Sequence, residues 1–199
     1  AGYVASTSSA ATATQADCSD SSTPCTHAAP CQDGSYKAAT GAGSCTDVDD
    51  GYFAIRDDHT YVSSAATGSS PCPNGTFSTN GTGACTDVDP GKQAEKSGAY
   101  VSTGAVNQAS CSDGYYNLNG DGPCIEVAAG YVASTSSAAT ATQADCSTVQ
   151  CTHAAPCQGG SFKAAAGAGS CTDIADGKFG SRNGYTYIGE GATMQKECH

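Results

Sequence analysis

Hydrophobic residues are few along this chain and fall in short groups that alternate with polar residues. An aromatic residue follows a C-x2-G motif four times, as in GSYKA (residues 34–38), and a second group such as GSCTDV (residues 43–48) follows a Gly-rich turn. Two such groups separated by a turn are typical of a β-hairpin. We therefore predict a short hairpin at each of the four places, with little or no helix elsewhere.

A second hairpin is predicted downstream of the first. KFGSRNGYTYIG (residues 178–189) alternates aromatic and polar positions around Asn183-Gly184, a dipeptide that favours a type I′ hairpin turn. GYFAIRDDHTYVS (residues 51–63) is its counterpart earlier in the chain. After Gly130 the chain passes at once into an Ala/Ser/Thr-rich stretch, so the pattern predicts no second hairpin there.

That stretch belongs to a long internal repeat. AGYVASTSSAATATQADCS occupies residues 1–19 and returns unchanged at residues 129–147. Within the repeat, the hairpin motifs share the frame C-x2-G-x-[YF], a Gly-rich turn and C-[TI]-[DE]-[VI]-x2-G. A recurring frame of this kind indicates tandem modules. We divide the chain into an Ala/Ser/Thr-rich spacer that ends a third-type unit (residues 1–30), module 1 (31–71), module 2 (72–110), module 3 with its own spacer (111–156), module 4, a copy of module 1 (157–197), and the start of a truncated copy of module 2 (198–199).

Cysteine changes the interpretation of this sparse hydrophobic pattern. Val, Ile, Leu and Phe number only 18 among 199 residues, too few for an ordinary apolar core. The chain has 13 cysteines, and a disulfide that closes a loop of about 15 residues contributes on the order of 3 kcal/mol. We interpret the cysteines as disulfides formed in an oxidising compartment, outside the cell or at its surface. Zinc is the alternative, and the lack of C-x2-C spacing in the sequence argues against it.

The frame also predicts how the cysteines pair. The two cysteines of each first hairpin face each other, and the extra pair beside the Ala/Ser/Thr-rich stretch differs in spacing between copies, as a local bridge tolerates. Cys198 is left over; we expect its partner outside the chain, in a following module, and an intermolecular bridge is the alternative. The predicted bridges are Cys18–Cys25, Cys31–Cys45, Cys72–Cys85, Cys111–Cys124, Cys146–Cys151 and Cys157–Cys171.

Two further kinds of site follow from the sequence. Asn74-Gly75-Thr76 and Asn80-Gly81-Thr82 are acceptor motifs that predict N-glycosylation of Asn74 and Asn80. The Ala/Ser/Thr-rich stretch resembles an O-glycosylated spacer. A tyrosine followed by Val or Ile recurs through the repeat, and we predict that it makes the contact between neighbouring modules. These tyrosines are Tyr3, Tyr61, Tyr100, Tyr131 and Tyr187.

No cofactor is expected, with Ca²⁺ as the alternative. The acidic pairs Asp47/Asp49 and Asp87/Asp89 recur, but the later modules have Glu126/Ala128 and Asp173/Ala175 at these positions. A calcium site needs about six to eight oxygen ligands. Asn117, Asn119 and Asp121 in NLNGDG resemble part of a calcium loop, and turn formation explains them equally well.

Catalysis, nucleic-acid binding and membrane insertion are not expected. His27 and His153 recur in CTHAAPC without a nucleophile motif, whereas His59 is replaced by Tyr185 in the second copy, so we expect no enzyme. The net charge of −11 opposes binding to a phosphate backbone. No apolar run approaches the roughly 20 residues of a membrane span. Copies of the chain and attached glycans are the expected partners.

The frame C-x2-G-[ST]-[YF], with C-T-[DE]-[VI] after the turn, resembles ephrin-receptor-like and growth-factor-receptor-like cysteine-rich repeats. In tandem it is similar to ciliate surface antigens and to the mastigoneme-type shaft proteins of flagellar hairs. The resemblance implies an extended, disulfide-stapled rod at the cell exterior. We expect a small all-β, disulfide-rich tandem repeat with stacked hairpins, in a structural protein of a fibre, filament or surface coat. The alternative is a cell-surface antigen or adhesin whose modules bind a ligand.

Overall fold

The computed structural model describes residues 1–8, 24–57, 59–138, 143–146 and 148–198. Within these residues the chain forms 19 short β-strands in nine small sheets. None of the residues described belongs to a helix long and apolar enough to cross a membrane. The predicted all-β, disulfide-rich fold is confirmed. The strands are β1 (Tyr3–Ser6), β2 (His27–Pro30), β3 (Ser35–Tyr36), β4 (Thr46–Asp47), β5 (Tyr52–Ile55), β6 (Gly68–Pro71), β7 (Thr76–Phe77), β8 (Thr86–Asp87), β9 (Lys92–Lys96), β10 (Ala99–Tyr100), β11 (Asn107–Ser110), β12 (Tyr115–Tyr116), β13 (Ile125–Glu126), β14 (Tyr131–Ser134), β15 (His153–Pro156), β16 (Ser161–Phe162), β17 (Thr172–Asp173), β18 (Lys178–Ser181) and β19 (Met194–Glu197).

Each module begins with a first hairpin of two-residue strands. The pairs are β3 with β4, β7 with β8, β12 with β13, and β16 with β17, all antiparallel. In module 1 the register pairs Tyr36 with Thr46, as the predicted hairpin requires. Strands this short bury little surface, so the hairpins need the cross-links described next.

Five disulfides lie in the described chain, and they coincide with pairs predicted from the frame. Cys25 is also disulfide-bonded, and its predicted partner Cys18 lies outside the described residues. Cys198 is a free, exposed thiol. Because disulfides form and persist in oxidising compartments, the five bridges indicate such an environment. The bridges are Cys31–Cys45, Cys72–Cys85, Cys111–Cys124, Cys146–Cys151 and Cys157–Cys171.

The second strand pair of module 4 differs from the predicted hairpin. β18 pairs with β19, so that Ser181 faces Met194, and the predicted partner segment contributes only an isolated bridge from Ser181 to Tyr187. A type I′ turn requires positive φ at both central residues. Gly184 has φ of 82°, whereas Asn183 is not in the positive-φ region. The Asn183 side chain instead accepts backbone N–H groups two and three residues ahead. Module 1 uses the same longer loop, with β5 paired to β6.

The prediction that module 3 lacks a second pair is wrong. β14 pairs with β15 over four residues, from Tyr131 opposite Pro156 to Ser134 opposite His153. β1 and β2 form the same pair before module 1. The Ala/Ser/Thr-rich stretch therefore contains one strand of each pair, β1 or β14, near its start. The prediction failed because the partner strand, HAAP, is too short and too weakly hydrophobic to show a strand pattern.

The buried cores are small. In module 3, Val127 packs with Ala133 and the Cys146–Cys151 bridge. In module 1, Val48 packs with Ala54 and Ala66. Alanine and cysteine dominate these clusters, so little apolar area leaves water and the disulfides carry much of the stabilisation.

The described chain divides into two compact units. The first contains Ala1–Asp87 and Ala94–Asn107, and the second contains Val88–Gln93 and Gln108–His199. β9 lies between β10 and β11 in the one three-stranded sheet of the described chain. The division passes through β9 and β11, so module 2 contributes residues to both compact units.

Candidate functional site

The most regular feature of the structure is the junction at which one module meets the next. A glycine precedes the second strand pair of each unit, and where a further module follows it we call it a junction glycine: Gly2, Gly51, Gly91 and Gly130. Each donates its N–H to a backbone carbonyl of the following module and accepts the N–H of that module's first cysteine. The donated bonds run from Gly2 to Lys37, Gly51 to Ser78, Gly91 to Asn117 and Gly130 to Lys163, at 2.7, 2.7, 2.7 and 2.8 Å, and the accepted bonds come from Cys31, Cys72, Cys111 and Cys157, at 2.8, 2.8, 3.0 and 2.8 Å.

The junction glycines leave no room for a side chain. All four have positive φ, between 72° and 83°, which L-residues other than glycine rarely adopt. A Cβ on Gly51 would overlap the carbonyl oxygen of Gly104 in the next module, and a Cβ on Gly130 would overlap that of Gly191. Glycine is therefore required for backbone conformation and for close approach of the next module.

A second contact comes from the turn of the following module's first hairpin. A Cβ on Gly81 would overlap the carbonyl of Val48 in the preceding module, and one on Gly120 would overlap the carbonyl of Val88. In module 4, the Gly167 N–H donates to the carbonyl of Val127 at 2.8 Å. The turn thus packs on the preceding module wherever both are present.

The residue after the hairpin aromatic carries a buried polar side chain that supports this turn. Lys37 and Lys163 are each 5% exposed. Lys163 Nζ donates to the carbonyls of Ala165 and Gly167 at 2.8 and 2.7 Å. Burial lowers the pKa of Lys163, and the charge of Glu126 partly opposes that shift. Because Gly167 bonds to the preceding module, Lys163 helps to hold the junction in shape.

Modules 2 and 3 fill the same position with neutral residues. Asn117 is 4% exposed; its Nδ2 donates to the Gly122 carbonyl and its Oδ1 accepts the Gly120 N–H. Ser78 accepts the N–H of Gly81. The position therefore requires a side chain that bonds to the turn, and its charge is not essential.

The predicted inter-module tyrosines have different roles. Tyr61 donates its hydroxyl to Asp33 and Tyr100 donates to Asn74, both at 3.0 Å and both within their own modules. Burial and the bond to Asp33 raise the pKa of Tyr61. Tyr3 and Tyr187 are 47% and 65% exposed. For these four the structure gives contacts within a module or exposure to solvent. The bonds between modules described above are made by backbone groups.

Tyr131 alone of the five reaches the next module with its side chain. Arg182 of module 4 donates to the Tyr131 hydroxyl at 3.2 Å, and its guanidinium lies 5.7 Å from the ring centre. The same guanidinium donates to the Gly191 carbonyl at 2.9 Å. The side chain of Arg182 thus ties the loop of module 4 to the start of β14.

The residue before the C-x2-G glycine explains why Tyr187 is exposed. Asp33 and Asn74 occupy this position and hold a tyrosine, and Asp113 there accepts the N–H of Cys146 at 2.9 Å. Module 4 has Gly159 instead, which has no side chain to accept the Tyr187 hydroxyl. Tyr187 is consequently 65% exposed, and the neighbouring Tyr185 is 89% exposed.

The calcium candidates have other partners or are solvated. Asp89 accepts bonds from Lys92 and Gln108 at 2.8 and 2.9 Å, and these bonds, that of Lys92 first, lower the pKa of Asp89. Asn117 supports its turn, as described above. In the part of the chain that the structure describes, no three His, Cys, Asp or Glu side chains are grouped so that they could hold a metal ion.

Both sequon asparagines are exposed, in different settings. Asn74 lies in the turn before β7, and Asn80 lies in the turn between β7 and β8. His27 and His153 each bond to the preceding threonine. Comparison with protein-family models and with curated protein sequences finds no match to this chain.

Proposed function

We propose that this chain is a structural, non-enzymatic repeat protein of the cell exterior whose modules dock in series into a fibre, filament or surface coat. The observation that carries the proposal is the junction, which recurs four times with the same backbone bonds although the side chains around it differ. An interface made of backbone groups and glycine can be formed by any module that carries the frame. Serial docking of equivalent modules is the basis of linear repeat assemblies.

Gly177 of module 4 supports the same proposal. It has φ of 76°, and its carbonyl accepts the Cys198 N–H at 2.8 Å, as at the four junction glycines. It is exposed, and no atom lies within 4 Å of the position of a Cβ. Its backbone therefore has the geometry of a junction to which a further module, of the same chain or of another molecule, can dock.

An extracellular setting is consistent with the chemistry of the chain. Disulfides form and persist in oxidising compartments. N-glycosylation motifs are used only in chains that enter the secretory pathway. The net charge of −11 keeps such a polymer soluble by self-repulsion. The resemblance of the frame to shaft proteins of flagellar hairs and to ciliate surface antigens points in the same direction.

Electron microscopy of native, unreduced material tests the proposal. We expect filaments or a regular coat whose repeat along the axis corresponds to a whole number of modules. Native material that consists only of isolated short particles would contradict the structural role.

A matched pair of variants tests the junction in that assembly. Gly177→Ala and Gly98→Ala both place alanine at positive φ, 76° and 83°, with no atom within 4 Å of the new Cβ. Both therefore carry the same backbone cost within the chain, and only Gly177 occupies a junction position. We expect Gly177→Ala to shorten or abolish the filaments and Gly98→Ala to leave them intact. Equal assembly of the two variants would show that this junction is not used.

The exposed pair Tyr185 and Tyr187 favours a second candidate, a surface antigen or adhesin. Exposed aromatic residues are enriched at recognition surfaces. The double variant Tyr185→Ala/Tyr187→Ala would then lose binding to a partner cell surface, while Tyr61→Ala, in the equivalent position of module 1, would retain it. Equal binding by both variants would leave this candidate without support.

A further inference from the structure

We propose that Asn80, and not Asn74, is the N-glycan acceptor of this chain, and that the glycan lies beside the junction of modules 1 and 2. The sequence does not separate the two sites, since both read Asn-Gly-Thr. The structure separates them by the conformation of each motif.

The Asn80 motif forms a compact exposed turn in which the asparagine and the threonine bond to each other. Asn80 Oδ1 accepts the Thr82 hydroxyl at 2.6 Å and the Thr82 N–H at 3.2 Å. Both residues are exposed. The threonine required for recognition by the transferase therefore lies against its own asparagine, at the tip of a hairpin.

The side-chain nitrogen of Asn80 is suited to modification. Both bonds that hold the turn use Oδ1, so substitution of Nδ2 by a sugar breaks neither of them. The transfer forms a bond from Nδ2 to the anomeric carbon of the sugar. It breaks the bond between that carbon and the pyrophosphate oxygen of a lipid-linked oligosaccharide, and the amide loses one proton. The folded hairpin therefore accommodates the product without rearrangement.

The Asn74 motif is held in a different way. Thr76 lies in β7, opposite Asp87, and donates its hydroxyl to the Pro73 carbonyl at 2.8 Å. Asn74 Oδ1 accepts the Tyr100 hydroxyl. The threonine is thus directed away from its asparagine, and the motif is fixed in a strand and in a contact with the second half of the module. A local β-hairpin forms in about 1–10 μs, much faster than the chain is synthesised, so the transferase meets the turn in its hairpin conformation.

The position of Asn80 places the glycan at a junction. The adjacent Gly81 packs against the Val48 carbonyl, and the Thr82 methyl group packs on Gly34 of module 1. The other modules have Thr40-Gly41-Ala42, Asn119-Gly120-Asp121 and Ala166-Gly167-Ala168 at this turn, none of which is an acceptor motif. The glycan would therefore mark only the module 2 type of turn.

Secretion of the full chain from a eukaryotic cell, followed by intact mass and site mapping before and after enzymatic deglycosylation, tests the proposal. We expect one removable N-glycan, on Asn80. It should be lost in Asn80→Gln and in Thr82→Ala, and retained in Thr82→Ser, Asn74→Gln and Thr76→Ala. Loss of the glycan in two different variants of the Asn80 motif, Asn80→Gln and Thr82→Ala, shows that the loss does not come from misfolding of one variant. A glycan on Asn74, on both residues, or on neither while a control sequon in the same cells is occupied would overturn the proposal.

Discussion

Each junction glycine meets two separate constraints at the scale of single residues. Its φ lies in the left-handed region, where alanine costs about 1–2 kcal/mol, and the next module occupies the space of a side chain. Gly98 meets only the first constraint, since its φ is 83° and no atom lies near a Cβ there. Because Gly51 and Gly98 have identical φ, alanine substitution at each of them distinguishes the cost of backbone strain from the cost of the overlap with the next module.

We expect Gly98→Ala to lower the free energy of unfolding by about 1–2 kcal/mol. Gly51→Ala should lower it by about 1–3 kcal/mol more, because the new Cβ overlaps a backbone carbonyl that cannot rotate away. Denaturant unfolding with intact disulfides measures both values. An equal decrease in the free energy of unfolding of the two variants would show that the next module tolerates a Cβ at Gly51.

The buried ammonium of Lys163 predicts a dependence on pH. Its pKa in the folded chain lies below the ordinary value of 10.5, so between these two values the unfolded chain binds more protons than the folded chain. The contribution of Lys163 to stability therefore rises with pH in this interval and is smallest below it. We expect the free energy of unfolding of the unaltered chain, minus that of Lys163→Asn, to increase as the pH rises toward 10.5. Asparagine is the matched control, because Asn117 fills this position in module 3. Alkylation of Cys198 in both proteins prevents disulfide exchange, and a constant or falling difference would contradict the assignment.

At the scale of elements, the second strand pairs show how a weak pattern can still form a strand. β14 and β15 contain small residues, and their pairing buries Val132 and Ala155. The Cys146–Cys151 bridge is buried in the same cluster, with Val127 and Ala133. The bridge thus closes the loop locally and also supplies part of the core on which β14 packs.

Removal of this bridge should loosen the pair. For Cys146→Ala/Cys151→Ala we expect a loss of about 2 kcal/mol from the short closed loop alone, and a further loss from the cavity left in the cluster. Amide hydrogen exchange should show lost protection in Tyr131–Ser134 and His153–Pro156. Cys198→Ser is the control, since that thiol is exposed and free. Unchanged protection of β14 and β15 in the double variant would contradict this account.

At the scale of the whole molecule, stability rests on cross-links and backbone bonds more than on apolar burial. Among the described residues, the first compact unit contains two small apolar clusters and the second contains one, each of three or four buried residues. In the first compact unit, even the cluster of Val4 and Ala29 packs against the Cys31–Cys45 bridge. Conformational entropy of about 1.5 kcal/mol per residue opposes folding, and such clusters do not offset it alone.

Reduction should therefore unfold the chain without denaturant. After reduction and alkylation at neutral pH, we expect loss of the β-sheet circular dichroism signal and rapid digestion by a nonspecific protease. The unreduced chain should resist digestion within its paired strands. A reduced chain that stays resistant would show that the clusters and backbone bonds are sufficient by themselves.

The all-β fold, the module frame and the pairing of five bridges could be predicted from the sequence because they depend on local spacing. Cysteines at 13 or 14 residues' separation, on either side of a Gly-rich turn, meet across one hairpin. The glycine that ends the frame was visible in the sequence as well. Its role was not, because that role depends on an atom of the next module.

Tertiary structure decided the features that depend on partners distant in the chain. Asn183-Gly184 has the sequence of a type I′ turn, but β18 gains four paired residues with β19 and only one bridge with the nearer segment. HAAP became a strand because β14 lay beside it. The junction was decided in the same way: its donors and acceptors are backbone groups that every residue possesses, so no side-chain pattern marks them. Sequence alone determined the modules and their disulfides, whereas only the folded chain determined what each module contacts. The physical reason is that bonds between backbone groups can be made by any residue, so the only trace that they leave in the sequence is the glycine that close approach requires.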